Sequence, residues 1–391
     1  MRVLHVSAYF APAFRYGGPP RTILGLCQAL VRAGVDVEVF TTTANGDAPL
    51  PPAPDGVEYE GVRVRYFPLS WPQRFWRSAA LANAIAREAA GADLIHVHGL
   101  WNFTVWAGAR AARAAGVPYV VSPRGMLLSS ARERHAASKA IAWWAVQRGD
   151  LRAAALLHAT SEDEARGLAG FGPRVVTIAN GVDWKTATPE HVARLRRRLD
   201  LPADADVIAF IGRLHPIKRL DLLAGAFTRL RRAGRRAWLV IAGPDEGGFR
   251  QRVEPLFREV ADNVRWAGAI DGDDKWALLA ASRALVQCSD SESFGLSVAE
   301  ALACGVPVVV TDRGAWAGVT AAGCGDVVAH EAAAIGDALE RLLARPAAAR
   351  EMGQRGREWV RRAFAWDAIG RAMAREYESI AGHRPAAAAA R

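Results

Sequence analysis

A strand–loop–helix–strand unit between residues 284 and 310 constrains the fold of this chain more than any other segment. The apolar run Ala284–Gln287 predicts a buried strand, and a polar loop follows it. Gly295 then precedes an Ala- and Leu-rich helical segment, which Gly305 ends before the apolar strand Val306–Val310. Strands joined through a helix in this way are the repeating unit of a parallel α/β sheet, so the segment predicts that class of fold.

Two glutamates flank the start of the predicted helix. Glu292 lies in the loop, and Glu300 lies about one turn inside the helix. Between them are the backbone N–H groups of Phe294, Gly295 and Leu296, where unpaired donors and the helix dipole favour an anion such as a diphosphate. Because carboxylates suit hydroxyl groups and amides suit phosphates, the segment predicts a nucleotide-sugar site. A solvated loop glutamate and a helix-face glutamate are the alternative.

Length and hydropathy describe a globular protein. With 391 residues, the chain exceeds the usual size of one domain, so we expect two domains. No uninterrupted apolar run reaches the roughly 18 residues of a membrane-spanning helix. Met1–Phe10 predicts a first strand rather than a secretory signal, because Arg2 and His5 interrupt it, and we therefore expect a cytoplasmic protein.

Charge and cysteine content add weaker constraints. The formal net charge of +10 attracts polyanions, but the arginines are dispersed along the chain, so we expect no nucleic-acid partner. The cysteines have no paired metal-ligand spacing and lie in or beside apolar elements, which predicts reduced thiols at Cys27, Cys288, Cys304 and Cys324.

Two loops in the first half carry candidate ligand contacts. The strand Val3–Phe10 leads to Gly17–Gly18, where the backbone can approach a phosphate or a sugar; an ordinary turn is the alternative. The strand Asp93–Gly99 places His98 at its carboxyl end, with His96 on the same face. A metal pair is one interpretation of these histidines. No third ligand is evident, so we expect hydrogen bonding from His98 and no metal.

Basic residues farther along the first half allow two interpretations each. Arg124, in the loop Ser122–Leu127 after a predicted strand, is a candidate anion contact or a surface arginine paired with an acid. Lys139–Arg148 predicts a basic, apolar helix with Trp143 and Trp144, which suits an interfacial membrane anchor or a core tryptophan.

The second half repeats the pattern after the turn Asn180–Asp183. The strand Val207–Ile211 leads into a loop with Arg213 and Lys218, two cations that could clamp a diphosphate and stabilise it as a leaving group; a flexible basic loop is the alternative. The stretch Asp271–Asp274 contains Asp-x-Asp, a pattern that can bind a divalent metal such as manganese. Because a helix follows, we predict helix capping instead.

The motifs together resemble a known family. Glu292 and Glu300 enclose Ser-Phe-Gly-Leu, and Ala-Leu-Ala-Cys-Gly-Val-Pro-Val-Val follows, which resembles the signature of the retaining family-4 glycosyltransferases. The resemblance covers most of the chain and extends to other quoted positions: Gly17-Gly18 with Arg21, His98, Ser122–Leu127, and Arg213 with Lys218.

The resemblance implies a GT-B fold, in which two doubly wound, Rossmann-like parallel-sheet domains face each other across a cleft. We expect an acceptor-side domain over 1–180 and a nucleotide-sugar-binding domain over 181–365. A C-terminal helix at about 366–381 would pack back on the first domain, and the tail 383–391 would be disordered.

The resemblance also implies a retaining, metal-independent hexosyltransferase without a cofactor. Its partners would be a nucleotide-sugar donor, a glycan or polyprenol-linked acceptor of the bacterial envelope or exopolysaccharide, and the anionic inner face of the membrane, to which it would attach peripherally. The resemblance implies catalytic roles for Glu292, His98, Arg213 and Lys218. In the donor site, Arg213 and Lys218 would hold the diphosphate, Glu300 the ribose and Glu292 the sugar. The remaining expected contacts are with the donor at Gly17, Gly18, His98, Phe294, Gly295 and Leu296, and with the acceptor at Arg124 and Arg21.

Two other functions remain open from the sequence. A GT-B fold epimerase would invert a sugar carbon without an acceptor. A non-catalytic nucleotide-sugar or glycan-binding protein would be expected to lack one of the paired cations or glutamates, and all four are present.

Overall fold

The computed structural model describes residues 1–127, 147–172 and 174–382. Most of the predicted Lys139–Arg148 helix, including Trp143 and Trp144, and the predicted tail 383–391 lie outside these residues. The chain divides into two compact units, and the first is discontinuous in sequence. It combines Met1–Gly181 with the chain from Trp366 onward, whereas the second unit is the continuous segment Val182–Ala365.

The first unit is built on an eight-stranded sheet of order β3-β4-β2-β1-β5-β6-β7-β8. Its strands are β1 (Arg2–Ser7), β2 (Asp36–Thr42), β3 (Ala53–Tyr59), β4 (Val62–Phe67), β5 (Leu94–His98), β6 (Tyr119–Ser122), β7 (Leu156–Ala159) and β8 (Val175–Thr177). From β1 the chain adds β2, β4 and β3 outward on one side and β5 to β8 on the other, so the strand order reverses between β1 and β5. In such sheets ligands bind outside the carboxyl ends of the strands at this switch point.

The edge strand β3 corrects one prediction. The resemblance implies parallel sheets, and the prolines of the stretch Asn45–Gly56 indicate a connection, but β3 begins at Ala53 and pairs antiparallel with β4. Pro54 lies within β3. Proline lacks an N–H group and is tolerated in a sheet where one side of the strand has no partner, which explains why this strand is at the edge.

Helices pack around this sheet. They are α1 (Gly18–Arg32), α2 (Ala79–Glu88), α3 (Phe103–Ala115), α4 (Arg148–Ala153), α5 (Glu162–Leu168) and, from the far end of the chain, Trp366–Gly382, with 3-10 turns at Phe14–Tyr16, Arg74–Trp76 and Ala89–Gly91. The helix α1 begins directly after Gly17. Pro19 and Pro20 lie in its first turn, where a missing N–H group costs nothing.

The second unit is a six-stranded parallel sheet of order β11-β10-β9-β12-β13-β14. Its strands are β9 (Asp206–Ile211), β10 (Ala237–Ala242), β11 (Val264–Gly268), β12 (Ser282–Gln287), β13 (Val308–Thr311) and β14 (Gly325–Val328). Its helices are α6 (Pro189–Arg198), α7 (Leu220–Arg232), α8 (Phe249–Val253), α9 (Gly272–Ala281), α10 (Leu296–Ala303), α11 (Gly318–Ala321), α12 (Ala332–Ala344) and α13 (Pro346–Ala363), with 3-10 helices at Pro216–Lys218 and Glu254–Asn263. The strand order reverses between β9 and β12.

The last helix described, α14 (Trp366–Gly382), completes the core of the first unit. Its residues Ile369, Met373 and Tyr377 are buried in the same apolar cluster as strand β1 and helix α1. The two helices lie close together at glycines: a Cβ at Gly370 would be 2.7 Å from Ala29, and a Cβ at Gly25 would overlap the Trp366 ring. Small residues at these positions therefore set the spacing between α1 and α14.

Candidate active site

The predicted donor-binding residues of the second unit meet at its switch point. The loop after β9 carries Arg213 and Lys218, and the loop after β12 carries Glu292. A backbone hydrogen bond of 2.9 Å from the Asp290 N–H to the Ile217 carbonyl joins the two loops. Because β9 and β12 are neighbouring parallel strands, their carboxyl ends bring the two loops together.

Lys218 and Glu292 form an ion pair in this position. Lys218 Nζ donates to Glu292 Oε2 at 2.5 Å, and Gln287 Nε2 donates to the same oxygen at 3.1 Å. The side chains of Lys218 and Glu292 are only 15% and 16% exposed, so their attraction is less screened than that of a surface pair. The sequence predicted both residues as ligand contacts but not their pairing with each other.

The start of helix α10 needs glycine at position 295. Gly295 is the N-cap residue with φ +78°, a left-handed conformation that favours glycine. A Cβ there would lie 2.9 Å from Trp316 Nε1 and 3.1 Å from Glu292 Cγ. Among the described residues, no side chain caps this helix end, so the positive end of the helix is available to an anion beside Glu292.

Glu300 is paired with a lysine that the sequence analysis missed. Glu300 is 7% exposed within α10, and Lys275 Nζ, from the first turn of α9, donates to Glu300 Oε1 at 2.6 Å. Lys275 also lies 4.4 Å from the centroid of the Trp276 ring. One signal was present: only four of the 50 basic residues are lysines, and two of those four pair with the two signature glutamates.

Arg213 lies at the rim of this group. Its Nη1 donates to Glu246 Oε2 at 2.5 Å, and both side chains are more than two-fifths exposed. The predicted convergence of two cations is therefore not present in this arrangement: Lys218 bonds to Glu292, whereas Arg213 bonds to Glu246. An exposed ion pair contributes about 0–1 kcal/mol, so Arg213 is easily drawn to another anion.

The alternative manganese motif is a helix cap, as predicted. Asp271 is the N-cap of α9 and accepts a hydrogen bond of 2.6 Å from the Gly272 N–H. Asp274 pairs with Arg198 at 2.5 Å. These carboxylates therefore stabilise a helix start.

In the first unit, His98 lies at the carboxyl end of β5, where it was predicted, within a buried network. Arg124 Nη2 donates to His98 Nδ1 at 3.2 Å, and His98 Nε2 lies 2.9 Å from His5 Nδ1. Because a guanidinium only donates, His98 Nδ1 must accept, so its proton is on Nε2 and is donated to His5. His5 then carries its own proton on Nε2, which is buried without a partner among the described residues.

A second branch of the network ends on the C-terminal helix. His158 Nε2 lies 2.8 Å from the Ile178 carbonyl and must donate to it. Ser122 Oγ therefore donates to His158 Nδ1 and accepts from His96 Nε2, at 2.6 Å each. The Tyr377 hydroxyl completes the branch by donating to His96 Nδ1 at 2.5 Å. Every histidine in the two branches is thereby fixed as one neutral tautomer.

Burial and the Arg124 charge keep these histidines neutral. Burial, followed by repulsion from Arg124, lowers the pKa of His5 and that of His158 to about 3. The pKa values of His96 and His98 also fall well below the usual range, mainly through burial. Burial likewise lowers the pKa of Arg124 to about 10 and raises that of Tyr377.

The structure corrects the expectation that the histidines lack a third metal ligand. His5, His96 and His98 each offer a ring nitrogen, and these atoms lie within 4.8 Å of one another. However, His5 and His98 bond to each other, and the Arg124 guanidinium faces His98. A cation there would lose these bonds and meet a positive charge, so the donor set suits a hydrogen-bonded network better than a metal.

Of the other predicted first-unit residues, Gly17 and Arg21 follow β1 in the chain. Gly17 has φ +88° and is the N-cap residue of α1, which begins at Gly18. Arg21 lies over the Phe14 ring, 4.1 Å from its centroid. Arg124, in the loop after β6, is turned inward, where Nη1 donates to Asn180 Oδ1 at 2.7 Å, and its predicted anion contact stays a prediction.

Comparisons with known proteins match both units. A family model described as "Glycosyl transferase 4-like domain" covers residues 17–181, and one described as "Glycosyl transferases group 1" covers 192–359. A D-inositol 3-phosphate glycosyltransferase of Frankia alni is 31% identical over 407 aligned positions, which cover 92% of this chain and 94% of that protein. This chain belongs to the group 1 glycosyltransferases.

Solved structures show the same fold for this group 1 glycosyltransferase. Sucrose-phosphate synthase from Thermosynechococcus elongatus superposes with a TM-score of 0.78 at 24% identity, covering 97% of this chain and 99% of that one. Anabaena HepE in complex with UDP-glucose gives a TM-score of 0.75 at 19% identity, covering 97% and 100%. The predicted family and GT-B fold are confirmed.

The family gives the reaction class. The protein is a retaining glycosyltransferase that takes its sugar from a nucleotide sugar. The four predicted reduced cysteines are free, and three of them are buried. Within the described part of the chain, no helix combines the length and apolar character needed to cross a bilayer.

Proposed function

We propose that this glycosyltransferase moves a hexose from a nucleoside-diphosphate sugar to a hydroxyl group of a glycan or polyprenol-linked acceptor of the bacterial envelope or exopolysaccharide. One observation carries the donor part of the proposal: Lys218 and Glu292 meet at the β9–β12 switch point beside the uncapped start of α10. The cation and the helix N-terminus suit a diphosphate, and the carboxylate beside them suits the hydroxyl groups of the attached sugar.

The residues divide the donor between them in this proposal. Lys218, Arg213 and the amides of residues 294–296 hold the diphosphate and stabilise its charge as the bond from the sugar C1 to the phosphate oxygen breaks. Glu292 faces the sugar, and Glu300 accepts from the ribose hydroxyls. The acceptor oxygen bonds to C1 on the face that the diphosphate leaves, and its proton departs with the nucleoside diphosphate. The predicted donor contacts of Gly17, Gly18 and His98 stay predictions.

The ion pair gives the donor site an internal counterion. Without donor, Lys218 and Glu292 neutralise each other, which lowers the cost of holding either charge out of water. An arriving diphosphate competes with Glu292 for the Lys218 ammonium, so donor binding changes the partners of Glu292. Replacing Lys218 therefore removes a phosphate contact and leaves the Glu292 carboxylate without its cation.

A screen of nucleotides tests the donor assignment. Thermal stability is measured with UDP, GDP, ADP and dTDP, and we expect one base to raise the unfolding temperature most, because only the native state binds it. Transfer from the matching nucleotide-sugars is then measured with oligosaccharide and polyprenol-linked acceptors. D-inositol 3-phosphate is included because relatives are named for it. Stabilisation by none of the nucleotides would refute the proposed donor site.

Two further parts of the proposal have their own tests. Since Lys218, Arg213 and helix amides can balance the diphosphate charge, transfer should survive EDTA, and loss restored by manganese would contradict metal independence. Peripheral membrane attachment, expected from the net charge of +10, should weaken steeply with salt in anionic vesicles. Binding that is unchanged at high salt would contradict electrostatic attachment.

A further inference from the structure

The loop between β4 and α2 displays aromatic rings that the fold does not bury. Trp71 is 86% exposed and Phe75 is 61% exposed, whereas most large apolar side chains of the described residues are buried or half-buried. Large exposed aromatic surface in water costs free energy, and clusters of it mark binding sites. These rings therefore need a physical explanation beyond the stability of the sheet.

The base of this loop is held in place. The Ser70 N–H donates to the Arg77 carbonyl at 2.7 Å, and Ser78 Oγ donates to the Pro68 carbonyl at 2.7 Å. The Arg77 guanidinium donates to the Trp71 carbonyl, so this cation is turned back onto the loop. The exposed rings therefore belong to a loop whose base is closed by hydrogen bonds.

Backbone conformation adds to the case for a function. Phe75 and Trp76 have φ values of +58° and +52°, a left-handed region that bulky residues rarely adopt. Backbone strain of this kind persists where the surrounding structure imposes it and is concentrated at binding sites. Here it places two consecutive aromatic side chains on the loop surface.

Trp76, which follows Phe75 in the chain, begins a row of three rings that leads to the predicted glycine loop. The half-buried Trp76 ring meets Tyr9 edge-on with centroids 5.7 Å apart, and Tyr9 stacks on Tyr16 with centroids 4.4 Å apart. The Tyr16 hydroxyl accepts a hydrogen bond of 2.9 Å from the Gly46 N–H. Tyr16 directly precedes Gly17 and the start of α1, so the row ends at the switch point of the first unit.

We propose that Trp71, Phe75, Trp76, Tyr9 and Tyr16 form a platform that binds the sugar rings of an oligosaccharide acceptor. The C–H face of a pyranose packs on an aromatic face, and ring hydroxyls remain hydrated at its edge, so a row of half-exposed rings suits successive sugars. The row Trp76–Tyr9–Tyr16 runs toward the switch point of the first unit, which favours a chain of sugars over a lipid surface, and vesicle binding is an outcome of the test. This inference rests on the proposed function, of which it names the acceptor class.

Direct binding tests the platform without requiring turnover. The full-length enzyme is applied to an array of neutral and acidic oligosaccharides of two to six units, and affinities for the strongest are measured in solution. We expect Trp71→Ala and Phe75→Ala each to weaken binding at least fivefold, and the double variant more. Trp71→Phe retains a ring and should keep most of the affinity. Leu256→Ala removes a 50% exposed side chain of the second unit and serves as the matched control.

The outcomes separate the platform from the proposed donor chemistry. Binding of the nucleoside diphosphate that stabilises the wild type is measured on every variant, and circular dichroism confirms folding. Oligosaccharide binding that is absent, or equal in wild type and the double variant, overturns the platform even where nucleotide binds. Loss of binding to anionic vesicles in the double variant, with oligosaccharide binding intact, overturns it in favour of a membrane contact. Failure of every nucleotide to bind the wild type refutes the proposed function instead.

Discussion

Each of the two signature glutamates has its own lysine, and this pairing gives them different chemical settings. Glu300 and Lys275 are 10% and 12% exposed in their side chains, inside the second unit. Glu292 and Lys218 lie at the loop junction, where the lysine can also meet a phosphate. The two carboxylates should therefore respond differently to the same substitution.

The first prediction separates these glutamates by kinetics. Glu300→Gln should mainly weaken nucleotide binding and raise the donor KM, because a ribose contact is made equally in the ground and transition states. Glu292→Gln should mainly lower kcat, because charge that develops at the anomeric carbon loses a facing carboxylate. Calorimetry with the nucleoside diphosphate and initial rates are measured on both. Equal loss of nucleotide affinity with saturating turnover intact would contradict the division.

The second prediction concerns Lys275. A lysine is a point charge on a flexible stem, whereas arginine is a wider fork, so Lys275→Arg is not conservative in a buried pair. We expect it to weaken nucleotide binding through displacement of Glu300. Lys275→Met should cost about 3–5 kcal/mol of stability, because it removes the cation of a buried ion pair.

The exposed pair of Arg198 and Asp274 supplies the control for this prediction. Arg198→Met removes a cation from the same helix neighbourhood, and it should cost about 1 kcal/mol or less. Urea unfolding and nucleotide calorimetry are measured on all three variants. A Lys275→Met variant as stable as Arg198→Met would show that the Lys275–Glu300 pair has no special role.

At the scale of elements, the spacing of α1 and α14 depends on small residues. Gly370→Ala would place a Cβ 2.7 Å from Ala29, so the helices must separate, and we expect a loss of about 1–3 kcal/mol. Gly382→Ala, at the end of the same helix, meets nothing within 4 Å and is the matched control. Thermal unfolding of both variants measures the difference. Equal unfolding temperatures would mean that the helices are not held at this distance by Gly370.

The sequence indicated most elements of the fold but not the partners of its site residues. Apolar runs and helix-ending glycines predicted the β12–α10–β13 unit, because periodicity is a local property of the chain. The edge strand β3 was missed because prolines signal a connection. Lys275 and His5 were missed because each reaches its partner through a long-range contact, to Glu300 and His98, that no local pattern encodes.

At the scale of the whole molecule, the buried histidines make stability depend on pH. The folded pKa of His5 and of His158 is about 3, below the unfolded value of about 6.5. Below pH 6.5 the unfolded chain binds protons that the folded chain does not, so the free energy of unfolding falls as pH drops toward 3. Above pH 6.5 the histidines are neutral in both states, so their full contribution to the free energy of unfolding is present. Each such histidine contributes a slope of about 1.4 kcal/mol per pH unit in this window.

A single substitution measures this contribution. Between pH 6 and 4.5, His5→Gln should reduce the slope of the unfolding free energy against pH by about 1.4 kcal/mol per pH unit, the contribution of one buried histidine. His191→Gln, in the second unit, is the control. Urea-equilibrated protein is treated briefly with protease, and peptides from the first unit are quantified. Identical slopes for wild type and His5→Gln would contradict a buried, neutral His5.

The return of α14 to the first unit also sets an order of events during synthesis. The second unit is one continuous segment, so it can close its core as soon as residue 365 has left the ribosome. The first unit is made earlier but lacks Ile369, Met373 and Tyr377 until α14 is translated, and its His96 lacks the Tyr377 hydroxyl until then. The half of the protein that is translated first therefore finishes folding last, and its exposed apolar face is the part of the nascent chain that a chaperone would have to cover.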